Sequence, residues 1–398
     1  MRVLQLCNKP PRPIVDGGCI AMNEISEGLI NAGCQLDILT ISTAKHPFHK
    51  REFDSELFQN TEVQDIFVDT KVNLVDAFSA LISSDSYNVS RFFSSDFDFK
   101  LIRWLTDKSY DIIHLESLFM TPYIPTIRKL SKAKIILRSH NLEHLIWERM
   151  AKSAGHSPKK LYLKHLASRL KKYEVNILKD VDGIASISSK DEKTFRQLGT
   201  STPIKTIPFS TDLSGTEVSN KSLNNELKLF HLGAMNWTPN IEAVNYLIDK
   251  IWPLLSSLDV SLNIAGRGMQ EELLEASNGK LQVIGEVKSA RDFIEKNDVL
   301  IVPLISGSGI RVKIIEAMAM GKAVITTSIG AEGIPFTNWE NLIIADSPEE
   351  FAHAITELSQ NKDKVWQIGD KGRALALEHF DSKKVISDLI EFYKSLEV

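Results

Sequence analysis

The stretch SGSGIRVKIIEAMAMGKAVITTSIGAEGI, residues 306 to 334, sets Gly307 and Gly309 ahead of Arg311, Lys313 and Glu316, then closes on a second turn with Gly330 and Gly333. The free N–H groups at a helix start carry partial positive charge and repel cations. Arg311 and Lys313 fit such a position if an anion joins them. The preceding DVLIVPL, 298 to 304, reads as a strand. Strand, glycine-rich turn and helix is the arrangement in which backbone N–H groups cradle a phosphate. The Walker G-K-[S/T] and the third glycine of the dinucleotide fingerprint are both missing, so a different phosphate ligand is implied. A diphosphate on this turn would meet a doubly cationic site built from Arg311 and Lys313. Glu316, three residues past Lys313, shares its helix face; the alternative is a solvated cationic face with a weak Lys313–Glu316 surface pair.

These residues need elements to carry them. RVLQLC (2 to 7), CQLDILTI (34 to 41), DIIHLE (111 to 116), AKIILRS (133 to 139) and DGIASIS (182 to 188) are short apolar runs separated by amphipathic helical patterns. Such runs fit parallel strands buried on both faces, with helices as crossovers. The segment 206 to 226 breaks the rhythm with Ser, Thr and Asn and reads as a linker. The alternation then restarts with LKLFHLG (227 to 233), DVSLNIAG (259 to 266), KLQVIG (280 to 285), DVLIVPL and KAVITTS (322 to 328). The expected fold is α/β, with two doubly wound Rossmann-like domains in series. The first covers 1–205, the second 206–380, and an amphipathic helix follows over 381–398. In such sheets ligands bind beyond the carboxyl ends of the strands, and two facing domains offer a cleft. Glycines mark those ends: Gly17 with Gly18, Gly233, Gly266 with Gly268, Gly285, and the pairs already named.

Composition narrows the class. The 398 residues carry a net charge of -4, with 43% hydrophobic and 25% charged residues, which fits a globular protein and argues against a nucleic-acid partner. Cys7, Cys19 and Cys34 lack metal-ligand spacing and read as reduced thiols. No run approaches the roughly 18 apolar residues of a membrane span, and the start lacks the pattern of a signal peptide, so a cytoplasmic protein is expected.

PLISGSGIRVKIIEAMAMGKAVITTSIGAEGI, together with HLGAMNWTPNIEAVNYL, NIAGRGM and VIGEV, resembles the nucleotide-sugar domain of glycosyltransferase family 4 enzymes of the GT-B fold. NKPPRPIVDGGCIAMNEISEGLINAGCQLDILT is similar to that family's opening strand, glycine pair and helix, RSHNLEH to its His-bearing loop, and IPFSTD to the turn that starts its second domain. The resemblance implies a retaining, metal-independent transferase that moves a sugar from a nucleoside diphosphate donor, UDP- or GDP-linked, to an acceptor hydroxyl. It needs no further cofactor. Carried over by position, Gly17 and Gly18 line the phosphate end of the donor site and His140 sits beside the reacting sugar. Glu316 accepts hydrogen bonds from the donor ribose. Gly233, Asn236, Gly266, Ser308, Gly309 and Ile310 complete the donor contacts. Arg12, Asp16 and Asn141 are acceptor-side candidates. The pathway implied is bacterial polysaccharide or surface glycan synthesis, with a glycan or lipid-linked acceptor.

Two departures matter. Many members carry a carboxylate eight positions before the ribose-binding one, where this chain has Ser308. Many place an Arg and a Lys after the first strand of the second domain, where this chain has Ala234, Met235, Asn236 and Trp237. Arg311 and Lys313 are expected to replace those cations, so His140, Arg311 and Lys313 form the catalytic set. Nucleotide-sugar 2-epimerases share the architecture, and a non-catalytic sugar-binding protein is the third reading. The segment 157 to 180 has seven Lys or Arg against two acids and permits peripheral docking on the inner membrane surface, although a crossover helix with a basic outer face explains the same pattern. In SYNVSRFFSSDFDF, 86 to 99, which could contact a lipid-linked acceptor, Phe92, Phe93, Phe97 and Phe99 are expected to be buried.

Overall fold

Ten apolar runs become parallel strands in two separate sheets. A computed structural model of the chain describes residues 1–69, 87–153, 158–211, 213, 226–235, 237–306 and 310–396. It divides into two units, Met1–Ser210 with Ser382–Val398, and Thr211–Asp381. Most of the linker read at 206 to 226 lies outside the described residues.

In the first unit the strands are β1 (Arg2–Cys7), β2 (Gln35–Ser42), β3 (Glu62–Phe67), β4 (Ile112–Glu116), β5 (Lys134–Ser139), β6 (Gly183–Ser186) and β7 (Ile204–Thr206). Their order across the sheet is β3-β2-β1-β4-β5-β6-β7, all parallel. The central strands are almost wholly buried, because helices cover both faces. One face carries Leu4, Leu6, Ile113, Leu115 and Leu137 into a core with helices Ser95–Asp107 and Pro158–Ile177. The other carries Val3, Cys7, Ile112 and Ile136 against helix Gly17–Asn31 and the last helix, Ser382–Ser395. Those two helices approach closely at Gly28, where an added Cβ would stand 2.3 Å from Ile386. Side chains alternate between the faces along each strand. His114, Glu116 and Arg138 therefore share the face of Cys7 and Ile136, and the register pairs Cys7 with Glu116 and Glu116 with Arg138.

The second sheet runs β10-β9-β8-β11-β12-β13, again parallel. Its strands are β8 (Leu227–Leu232), β9 (Val260–Ala265), β10 (Leu281–Gly285), β11 (Val299–Val302), β12 (Ala323–Thr326) and β13 (Ile343–Ile344). Helix Val312–Ala319 follows β11 and buries Ile314, Ile315, Ala317, Met318 and Ala319. That near-continuous apolar face leaves Lys313 and Glu316 as its polar members.

The aromatic stretch corrects one expectation. Phe92 and Phe97 are buried, but Phe93 and Phe99 are 49% and 64% exposed. Helix Ser95–Asp107 turns Phe97, Leu101, Trp104 and Leu105 inward, and a 3.6-residue period then places Phe99 outside. The basic helix Pro158–Ile177 buries Leu163, Ala167 and Leu170 and exposes Lys164, His165, Lys171 and Lys172. Among the described residues no helix is long and apolar enough to cross a membrane.

Candidate functional site

In the second unit the strand ends meet at glycines. A Cβ on Gly266 would lie 1.7 Å from the Gly233 carbonyl oxygen, so the ends of β8 and β9 approach to a distance only glycine allows. The Gly233 N–H donates to Ala265 O at 3.0 Å, and the Gly266 N–H to Gly285 O at 2.8 Å. Lys313 reaches this place from helix Val312–Ala319. Its Nζ would be 2.7 Å from a Cβ on Gly233, and it donates to Asn240 Oδ1 at 2.8 Å. Asn240 is fixed in turn, donating through Nδ2 to Ala234 O at 2.9 Å. The ammonium thus faces a backbone turn and a neutral amide. Burial, then the charge of Arg311, brings Lys313 down to about 7.

Arg311 is the residue before the helix, extended at φ -93° and ψ 94°, and its side chain is buried. The guanidinium lies over the Trp237 ring at 5.4 Å. Burial lowers it to about 10, opposed by the charge of Glu332. Ile310 packs against the core beside it. Burial raises Glu316, one helical turn past Val312. His231 on β8 is fully buried, with Nδ1 2.8 Å from Ile301 O, and burial and the Lys313 charge hold it neutral at about 3. Asn236, Ser308 and Gly309 lie outside the described residues. The positive end of the helix, Lys313 and Arg311 together suit a ligand with at least two negative charges.

In the first unit, β1 leads to the turn that opens helix Gly17–Asn31. Asp16 caps it, accepting from the Cys19 N–H at 3.0 Å. Burial would raise the Asp16 carboxyl, but Lys9 at 2.7 Å, the Cys19 N–H and His46 at 3.0 Å hold it well below the usual range. Gly17 opens onto free space. A Cβ on Gly18 would meet Lys9 Nζ at 2.6 Å. Arg12 is engaged within the unit: Nε donates to Asn23 Oδ1 at 2.7 Å, Nη1 to Glu52 O at 2.9 Å, and Nη2 to Glu27, with the Phe58 ring 4.9 Å away.

His140 follows β5, and its Nε2 stands 2.6 Å from Glu116 Oε2. Burial lowers its pKa, against the pull of Glu116. Glu116 is fully buried. Burial would raise it, but His114, His140 and Arg138 hold it well below the carboxylate range. The sequence reading passed over Glu116, although HLE and LRSH place four polar residues at one parity in otherwise apolar strands. Asn141 accepts from Ser139 Oγ through its backbone oxygen at 2.8 Å. Its side chain bonds Glu143, which burial and the charge of Glu174 push up to about 7.

Each half matches a known family. A family model described as Glycosyltransferase Family 4 matches residues 15–214, and one described as Glycosyl transferases group 1 matches residues 226–361. The chain is 28% identical over 298 residues, 72% of its length, to an uncharacterized 44.6 kDa protein in the cps region of Klebsiella pneumoniae, of which 74% is covered. Among solved structures it is similar to sucrose-phosphate synthase from Thermosynechococcus elongatus, at 16% identity and a TM-score of 0.71, covering 100% of this chain and 99% of that one. It is also similar to Anabaena HepE in complex with UDP, at 14% identity and a TM-score of 0.71, covering 99% and 100%.

Proposed function

Because the chain belongs to glycosyltransferase family 4 and has the GT-B fold, we propose that it is a retaining transferase that takes its sugar from a nucleoside diphosphate donor and builds a bacterial surface polysaccharide. The observation that carries this reading is Lys313, a half-buried ammonium set beside Gly233 with Asn240 as its hydrogen-bond partner. In this reading the donor diphosphate supplies the missing anion. As the bond from the anomeric carbon to the diphosphate breaks, its electron pair moves onto the diphosphate oxygen. Lys313, Arg311 and the helix N–H groups then stabilise the transition state more than the ground state. Glu316 receives the ribose hydroxyls, and His140 contacts the sugar. The acceptor oxygen bonds to the anomeric carbon on the face the diphosphate leaves, and its proton passes to the departing diphosphate oxygen.

The Klebsiella relative lies in a cps region, and HepE has been solved with UDP and glucose; both support a polysaccharide product and a nucleotide-sugar donor. Peripheral docking on an anionic membrane surface suits the exposed face of helix Pro158–Ile177, where Leu161 and Tyr162 are 73% and 40% exposed beside Lys164 and His165. Sedimentation with anionic and with neutral vesicles measures that contact, and equal recovery from both removes it.

The test of the main reading is calorimetric titration with UDP, GDP and ADP, alongside a Glu316→Ala variant, followed by nucleotide release from the matching donor sugar in EDTA. One nucleotide should bind, and Glu316→Ala should weaken it. Release should depend on an added acceptor. Binding of none of the three, or release that ignores the acceptor, overturns the reading.

A further inference from the structure

The first unit holds a polar chain that runs from the last helix to His140. Tyr393, on helix Ser382–Ser395, and His114, on β4, are both fully buried. The Tyr393 hydroxyl is 2.6 Å from His114 Nδ1. His114 Nε2 lies 3.2 Å from Glu116 Oε1, an ion-pair distance without hydrogen-bond alignment, and Oε1 accepts from Gln5 Nε2 at 2.9 Å. Glu116 Oε2 is 2.6 Å from His140 Nε2, and Arg138 Nε stands 4.0 Å away on the same side.

An ionised carboxylate only accepts hydrogen bonds. Each nitrogen that faces Glu116 must therefore carry its proton. For His114 the carboxylate's charge, 3.2 Å from Nε2, favours the proton there and leaves Nδ1 to accept from Tyr393. For His140 it puts the proton on Nε2 and leaves Nδ1 as a lone pair, with no protein partner among the described residues. The Gln5 amide is fixed in the same sense. Its Nε2 faces two acceptors, Glu116 Oε1 and Met22 O, and its Oε1 receives the Ser26 hydroxyl at 2.7 Å.

We infer that Glu116 is a positioning residue: it holds His140 as the Nε2–H tautomer, so that Nδ1 is offered to the substrate as an acceptor of a sugar hydroxyl, and Tyr393 locks that arrangement from the far side through His114. The role in turnover rests on the reading of His140 as a sugar contact, whereas the tautomer does not. Glu116→Gln separates the two. Because the Gln5 NH2 faces the site of Oε1, the new amide turns its oxygen to Gln5 and His114 and its NH2 to His140. His140 must then accept at Nε2 and carry its proton on Nδ1 instead.

Long-range proton–nitrogen NMR on protein labelled with 15N-histidine reads this directly, with the His140 signals identified by their loss in His140→Ala. The wild type at pH 7 should show neutral His140 protonated on Nε2. Glu116→Gln should show it protonated on Nδ1, with kcat/KM reduced at least tenfold and nucleotide affinity within twofold of wild type. A wild-type His140 protonated on Nδ1 or on both nitrogens overturns the inference, as does a variant whose tautomer or turnover does not move. If Glu116→Gln does not fold, the wild-type spectrum alone decides by the same criterion. Full activity in His140→Ala would instead sink the sugar contact and leave the tautomer measurement intact.

Discussion

The two units bury charge in opposite ways. In the first, the carboxylate of Glu116 is ringed by Gln5, His114 and His140, with Arg138 beyond, and it is held firmly ionised. In the second, the ammonium of Lys313 is half-buried against a neutral amide, with the like charge of Arg311 nearby. A buried charge without an opposite partner is costly and tends to neutralise. The first charge is therefore offset within the protein alone, while in the proposed function the second is offset by the donor's diphosphate. The difference matches the proposed roles, in which the Glu116 cluster maintains geometry and the Lys313 cluster takes up the donor.

The largest break of that contrast is Lys313→Met. It should reduce kcat/KM by about 10²- to 10³-fold, the usual cost of removing one preorganised group from a developing charge. The same variant should be more stable than wild type. Lys313 sits at about 7 in the folded chain against an ordinary lysine value of 10.5, so between those values the unfolded chain binds more protons. Stability then rises with pH through that window in the wild type, and below it the half-buried ammonium carries its full cost. Methionine removes that cost, so at pH 7 the melting temperature should rise by about 2–4 °C for each kcal/mol relieved. A lower melting temperature would show that the ammonium is already satisfied without ligand.

A second measurement sharpens the contrast through pH. A bound diphosphate favours protonated Lys313, so donor affinity should fall as pH rises above about 7, by up to about tenfold per unit. Calorimetry from pH 7 to 9 checks this, since a terminal phosphate with a second pKa of about 6 is already about nine-tenths ionised at pH 7 and changes little above it. Lys313→Arg stays charged and should flatten the profile. A wild-type profile already flat would remove Lys313 from the diphosphate.

The Lys313 cluster was legible in sequence because its parts are local: two glycines, two cations and an acid fall within ten residues, and the apolar period of the helix fixes their face. Asn240 was readable only as a neighbour in NWTPN, and its link to Lys313 spans 73 positions. The Glu116 cluster is assembled by strand register instead. Gln5, Glu116, Arg138 and His140 come from three runs that meet only when β1, β4 and β5 pair in order. The strands that escaped reading have a common cause. β3 is half-exposed along its length at one sheet edge, while β7 and β13 are three and two residues long at the others. None offers a continuous apolar run. Phe99 failed as a core residue because an aromatic count ignores helical phase.

The smallest effect tests the Glu116 side at its far end. Tyr393→Phe keeps the ring in the core and removes the hydroxyl that serves His114 Nδ1 at 2.6 Å. A buried acceptor left without its donor costs about 1–3 kcal/mol, so thermal denaturation should record a modest loss of stability. His114 keeps its other nitrogen toward Glu116, and Glu116 keeps Gln5 and His140, so the carboxylate stays in place with one restraint fewer. Turnover should fall about two- to fivefold, an order set by the loss of one neutral hydrogen bond of roughly 1 kcal/mol. Nucleotide affinity should not change, because nothing in the chain from Tyr393 to His140 includes Arg311, Lys313 or Glu316. A Tyr393→Phe protein that loses nucleotide affinity as strongly as Lys313→Met would mean that the two clusters are one coupled system, and the separation of a geometric cluster from a binding cluster would fall.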